Sequence, residues 1–449
     1  MNRRAASAAI GILLVTTAPG CSRGSGTSGA GDEAASSPFV AVDPGSASPT
    51  DKAIARAQER LRANVDNDSA RLALAQAFLQ KAREVGDPTL YVKAGTLLDE
   101  AGKGRKDDAG VLIAQGALAL AQHRFEDALE LGRRAVKAAP GNASALGVVV
   151  DALNELGRYD EALEATQAMV DAKPNLASLS RASYARELRG DLDGAIVAMT
   201  QAATAGAGSG ENVAFVEVQL GNLLLTSGDV AGAEASYAAA DRSFPGYALA
   251  KAGRARALVA RGEPAAAAEV LADVVRVLPT AEHAIAHGDA LAAAGRKAEA
   301  TEAYALVDVI ARLYRANGVN VDLELALFEA DSSPGAEAVE QARRAAKERP
   351  SIQGHDALAW ALFTAGKVDE AWPEARRALA TGSRDPLLRF HAAAIAEARG
   401  QRDVAARHLR VVLDTNPRFS AVLAAKVASL AAKHGLQVPP PPASPPPPA

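Results

Sequence analysis

From about residue 52 to residue 417 apolar side chains recur at i, i+3, i+4 and i+7, the period of one buried helix face. No stretch shows the two-residue alternation of a half-buried strand. The helical segments are short, and the breaks between them are themselves periodic. Gly157-Arg-Tyr-Asp-Glu-Ala162, Gly295-Arg-Lys-Ala-Glu-Ala300 and Gly366-Lys-Val-Asp-Glu-Ala371 are the clearest copies of one kind of break. Gly190-Asp-Leu-Asp-Gly-Ala195, Gly228-Asp-Val-Ala-Gly-Ala233, Gly262-Glu-Pro-Ala-Ala-Ala267 and Gly400-Gln-Arg-Asp-Val-Ala405 are weaker ones. Prolines close the units at Pro140, Pro174, Pro245, Pro279, Pro350 and Pro417, and the gaps 140 to 174 and 245 to 279 are each 34 residues. A fixed period of that length predicts a stack of identical helical hairpins rather than a chain wrapped around one core.

Within a unit the residue types have causes. Gly116, Gly221 and Gly288, with Ala255, Ala359 and Ala393, fall at the eighth position, where the two helices of a hairpin approach. Ala128, Ala162, Ala195, Ala233, Ala267, Ala300, Ala338, Ala371 and Ala405 fall at the twentieth, on the second helix facing the first. A larger side chain there would push the helices apart, at about 1–3 kcal/mol. The glycine near position 15 suits the left-handed conformation that ends a helix, and proline at 32 stops the next one. In these positions the unit resembles the tetratricopeptide repeat (TPR), most closely over residues 109–140. The resemblance implies an all-α TPR solenoid, a right-handed superhelix of about ten repeats over residues 51–417.

It also implies a concave face lined by positions 2, 5, 9 and 12 of each first helix. Carried onto this chain, that register gives Ser144, Asp151 and Asn154; Ser180, Tyr184 and Glu187; Phe215 and Asn222; Arg256; Glu282 and Asp289; Gln353, Asp356, Trp360 and Phe363; and Phe390 and Glu397. From these, Asp151, Asn154, Tyr184, Asn222, Arg256, Asp289, Asp356, Trp360 and Phe390 are the candidate partner contacts. Acids, amides and aromatics of this kind contact a peptide through hydrogen bonds and ring faces. A solvated groove without a ligand would look similar.

The period is interrupted in places. Four residues are inserted near 204–212, and the seventh unit's second helix runs on to Arg315 before Asn317-Gly318. The first unit, near Ser69–Gly102, is degenerate. A leading helix is expected at Lys52–Asn64, capped by Asp51, and a closing one at Phe419–His434, within 418–435, with Lys426 and Lys433 exposed. Trp372 is expected to begin a helix, since Pro373 follows it.

The ends are of another kind. Met1-Asn-Arg-Arg4 is basic, Ala5–Val15 is apolar, and Ala18-Pro-Gly-Cys21 follows, in the order of a bacterial export signal. The apolar stretch is too short to span a bilayer. The chain's single cysteine lies where a lipoprotein signal peptidase would cut, so residues 1–20 resemble a lipoprotein signal. That resemblance implies a lipid on Cys21, a membrane anchor and an extracytoplasmic location. Ala18 and Pro19 depart from the usual Leu and small residue, so an ordinary cleavable signal remains the alternative. Residues 21–50 are rich in Gly, Ser and Ala and read as a disordered tether. Residues 436–449 hold two tetraproline runs, a stiff spacer or a ligand for an aromatic groove.

Composition narrows the function. With 49 basic and 53 acidic residues, the net charge of −4 offers no basic field for a nucleic acid. One cysteine allows neither an internal disulfide nor a cysteine metal site. His283 and His287 are spaced like a helical metal pair, but no central Glu and no third ligand accompany them. There is no phosphate loop, and without strands no nucleophile elbow. The expectation is a non-enzymatic envelope scaffold without cofactor, metal or small-molecule substrate, holding a protein or peptide partner. A self-assembling envelope protein and, more remotely, a metal-dependent hydrolase are the alternatives.

Overall fold

The computed structural model describes residues 39–41, 48–206 and 210–442; Cys21, the signal-like segment and the last prolines lie outside them. Among the described residues the chain forms α-helices and no strand. A leading helix, α1 (Pro49–Ala63), precedes ten hairpins. These are α2 (Asp68–Val85) with α3 (Thr89–Gly102), α4 (Ala109–Ala121) with α5 (Phe125–Ala138), and α6 (Ala143–Glu155) with α7 (Tyr159–Ala172). Next come α8 (Leu176–Leu188) with α9 (Leu192–Ala205), α10 (Glu211–Thr226) with α11 (Val230–Ser243), and α12 (Ala248–Arg261) with α13 (Pro264–Val277). Then follow α14 (Ala281–Ala293) with α15 (Lys297–Ala316), and α16 (Asp322–Ser332) with α17 (Ala336–Glu348). The last are α18 (Ile352–Thr364) with α19 (Val368–Ala378), and α20 (Pro386–Ala398) with α21 (Arg402–Asp414), before α22 (Ala424–Lys433).

The repeat positions behave as their residue types require. None of the nine alanines at position 20 is more than 3% exposed. The glycines at position 8 are explained by the side chains that lie on them, Val148 on Gly116 and tyrosines on the other two. A Cβ on Gly221 would come within 2.4 Å of the Tyr237 ring, and one on Gly288 within 2.4 Å of the Tyr304 ring. Tyr237 is wholly buried, wedged also against Gly253 of the next repeat.

Three helix boundaries differ from expectation. α1 starts at Pro49, where a missing N–H costs nothing, with Ser48 as its cap: the hydroxyl accepts from the Asp51 amide. α22 starts at Ala424, because Phe419 turns inward instead and packs on Phe390, ring centres 6.2 Å apart. α19 starts at Val368, so Pro373 lies inside it rather than at its head. The missing donor there interrupts the ladder of a helix only 11 residues long.

The superhelix closes on itself. The turn inside one hairpin meets the loop before another that lies about two hundred residues further on. His123 Nδ1 donates to the Asn320 carbonyl at 2.6 Å, and the Asn320 amide donates to the Gln122 carbonyl at 3.2 Å. The Ile352 amide donates to the Tyr159 hydroxyl at 2.7 Å, across 193 residues. Glu155 and Arg349, 194 residues apart, form a buried ion pair, with Glu324 3.1 Å from the same guanidinium. Burial opposes the Arg349 charge, but Glu155 and Glu324 outweigh it and hold its pKa above the ordinary arginine value. With a 34-residue unit, such spacings put between five and six repeats in each superhelical turn. The second turn therefore rests directly on the first.

Glycine makes that contact possible. Gly157, Gly190 and Gly228 all have left-handed φ, and a Cβ on them would lie 2.2, 2.6 and 2.8 Å from the carbonyl oxygens of Pro350, Gly382 and Thr415. His123 occupies the same repeat position with φ 58°, the one non-glycine residue with positive φ among those described. Its bond to Asn320 and its stacking on Phe125, centres 5.6 Å apart, offset the left-handed strain.

Candidate binding lumen

Where the two turns face each other they leave a cavity of about 260 Å³. Position 9 of five successive first helices lines it: Asp151 on α6, Tyr184 on α8, Asn222 on α10, Arg256 on α12 and Asp289 on α14. Asn154 joins them from position 12, as does Glu187. The opposite wall comes from the second turn, through Gln353, Asp385, Leu387, Asn416 and Phe419. Six of the nine candidate contacts thus share one space.

Much of the lining is tied into a polar chain running from repeat to repeat. The Tyr237 hydroxyl donates to Asn222 Oδ1 at 2.9 Å, and Arg256 donates to the same oxygen at 3.0 Å and to Glu282 at 2.9 Å. The Tyr304 hydroxyl donates to Asp289 at 2.6 Å. Arg181 clamps Asp151 with two bonds of 2.8 and 2.5 Å. Burial still lifts the Asp151 carboxyl above its ordinary pKa, although Arg181 pulls the other way. Glu187 is pushed up to about 7, first by burial and then by the nearby Asp385 carboxylate. Burial raises Asp385 as well, against the two amides that it caps.

The insertion near residue 204 has a structural use. It starts α10 early, so that Glu211 reaches Arg83 of α2 at 2.8 Å and accepts from the Tyr247 hydroxyl at 2.6 Å. That staple ties the first repeat to the fifth across the superhelix axis.

Asp356, Trp360 and Phe390 are placed elsewhere. Trp360 is 3% exposed, stacked on His391 at 3.9 Å and 13°, and flanked by Phe363 and Phe390. Its indole N–H donates to Asp331 at 3.2 Å. Asp356 is equally buried and bonded to His391 Nδ1 at 2.9 Å. The register is the same as in the first turn, but Phe419 and the residues leading to α22 cover this stretch of the inner face. These three side chains therefore form core rather than lumen.

His283 and His287 do not make a metal centre: His283 is buried, with Nδ1 3.0 Å from the Leu278 carbonyl. Burial lowers the pKa of both histidines. Among the described residues no group of three or more His, Cys, Asp or Glu is placed to hold a metal ion. Sequence reasoning missed Asp385, Glu155, Arg349 and Tyr159, which occupy the meeting of the two turns. Asp385-Pro386 was readable as a helix start, but nothing local says what that start would face.

A family model described as tetratricopeptide repeat matches residues 113–177 and 218–282. What the hairpins build is a TPR solenoid, and the chain is a TPR-repeat protein with no catalytic constellation among its described residues. Solved structures similar to it include a thermophilic TPR protein of Thermus thermophilus. That one shows 22% identity over 41% of this chain and 99% of its own, with a TM-score of 0.37. Another is from work titled as a functional characterization of Pseudomonas aeruginosa pilF, at 16% identity over 48% of this chain and 94% of its own, TM-score 0.35. Both cover less than half of this chain, and at these scores they bear on neither its site nor its partner. No curated protein matches the chain.

Proposed function

We propose that the chain is an adaptor whose lumen grips a short extended segment of a protein partner. The observation that carries this reading is the convergence of five successive position-9 side chains on one cavity with a second wall. A TPR solenoid is a protein-binding scaffold in general, and its rigid helix pairs pre-organise such a surface. A cavity of about 260 Å³ accommodates an extended run of a few residues. On this proposal the contacts are Asp151, Asn154, Tyr184, Asn222, Arg256 and Asp289, while Asp356, Trp360 and Phe390 support the fold.

The proposal extends to the ends of the chain. Residues 1–20 act as an export signal, Cys21 carries a lipid, and residues 21–50 tether the array to the outer side of a bacterial membrane. What supports this is the sequence order of basic, apolar and small residues before a lone cysteine. Mass analysis of the mature N-terminus tests it: a lipid increment on Cys21 is expected, and an unmodified or absent cysteine refutes the anchor.

Photo-crosslinking tests the lumen. A benzophenone amino acid at Gln219, on the lumen wall, should trap a discrete adduct in membranes, whereas the same probe at exposed Glu130 should not. Equal labelling from both positions would refute the assignment.

A further inference from the structure

The lumen wall is unbalanced in one particular way. It carries six carboxylates, and its two guanidiniums are already engaged: Arg181 by Asp151 and the Ala177 carbonyl, Arg256 by Asn222 and Glu282. The unmet groups are mostly acceptors. The Glu187 carboxylate accepts no hydrogen bond among the described residues. Asp385 uses Oδ1 for the Leu387 and Leu388 amides and leaves Oδ2 without a partner among the described residues. Gln353 Oε1 is buried without a partner. The Asn154 side chain, 6% exposed and facing the same cavity, has no hydrogen-bond partner among the described residues either. A buried polar atom left so, as at Gln353, is costly, and the neighbouring Glu187 and Asp385 carboxylates repel each other when no cation lies between them.

What would satisfy this wall is a positive group with several N–H donors. A divalent metal does not answer, because no three ligating side chains converge among the described residues. We propose that the lumen is a receptor for an alkylguanidinium or alkylammonium group, seated between Glu187 and Asp385 and oriented by the Gln353 and Asn154 amides. The inference rests on the reading of the lumen as the partner site and names the chemistry it selects. The cation has two sources, a free small amine or a basic side chain on an extended segment.

Calorimetry on the full chain tests this with agmatine, with the peptide acetyl-Gly-Arg-Gly-amide, and with the peptide in which neutral citrulline replaces arginine. The expected result is binding of a guanidinium probe at least tenfold tighter than citrulline. Glu187→Gln and Asp385→Asn should each weaken it at least tenfold, and the surface control Glu130→Gln should leave it unchanged. Asn keeps the helix cap at 385, and Glu187 holds no bond whose loss would unfold the chain, so neither variant should melt below the parent. Agmatine binding as tightly as the peptide identifies a free amine; binding by the peptide alone identifies a side chain on a segment. Binding that ignores Glu187 and Asp385, or no heat from any guanidinium probe, overturns the proposal. If arginine and citrulline peptides bind alike and the Gln219 crosslink persists, the lumen reading stands and only its cation selectivity falls.

Discussion

The first superhelical turn and the second use one repeat register for opposite ends. At position 9 the first turn places Asp151, Tyr184, Asn222, Arg256 and Asp289 on a shared cavity, whereas the second buries Trp360 in an aromatic stack. At position 15, Gly157, Gly190 and Gly228, which lie beneath the second turn, press on backbone carbonyls, whereas Gly262, Gly295, Gly366 and Gly400 meet nothing within 4 Å. The repeat thus fixes where a side chain points within its own hairpin. What it meets there depends on a turn of superhelix that passes about 193 residues away.

The largest effect that separates the turns is on the inner face. Trp360→Ala should cost about 3–5 kcal/mol, as expected for deleting a buried tryptophan, measured by denaturant unfolding. Asn154→Ala, which breaks no bond to the protein, should stay within about 0.5 kcal/mol. Comparable losses at the two sites would mean that the second turn is not closed over its inner face.

Gly157→Ala and Gly366→Ala sharpen the comparison next. Both place alanine at a left-handed φ, worth about 1–2 kcal/mol. Only the first drives a Cβ into the Pro350 carbonyl, so its loss should be at least twice as large. Equal losses would show that the two turns part easily in solution.

A smaller effect concerns pH. Glu187 has a folded pKa of about 7 against an ordinary 4.5, so the folded state holds the proton more tightly. Stability is then unaffected below pH 4.5, falls as pH rises toward 7, and levels off above it. Glu187→Gln should remove that slope and stabilise the chain at pH 8 by about 1–3 kcal/mol, a range set by the shift and its screening. An unchanged slope in the variant would place the titration elsewhere.

The smallest effect is at His123. Alanine there keeps the left-handed strain and loses the bond to Asn320, whereas glycine loses the bond and relieves the strain. The glycine variant should therefore be the more stable by about 1 kcal/mol. Identical melts for the two would remove strain from the account of this turn.

The hairpins were legible in the sequence because each is local. Ala162, Gly221 and Pro140 answer to neighbours within one 34-residue unit, and the pattern repeats often enough to be read. The first-turn lining was legible for the same reason. The covering of Trp360 was not, since it depends on Phe419 and the segment before α22 folding back. Nor was the contact between turns. Glu155, Tyr159 and Arg349 read as ordinary surface residues until the superhelical rise brings them together. The one local hint was His123 standing where other units have glycine.

Hydrogen exchange at Ile352 and Asn320 tests most directly whether the second turn rests on the first. Ile352 is the first residue of α18, with no partner inside its own helix, and Asn320 lies in a loop. Their amides are held by the Tyr159 hydroxyl and the Gln122 carbonyl, both from the first turn. Both should exchange slowly in the parent chain, and Tyr159→Phe should release Ile352 while Asn320 stays protected. Rapid exchange at both amides in the unmodified chain would contradict the closed superhelix.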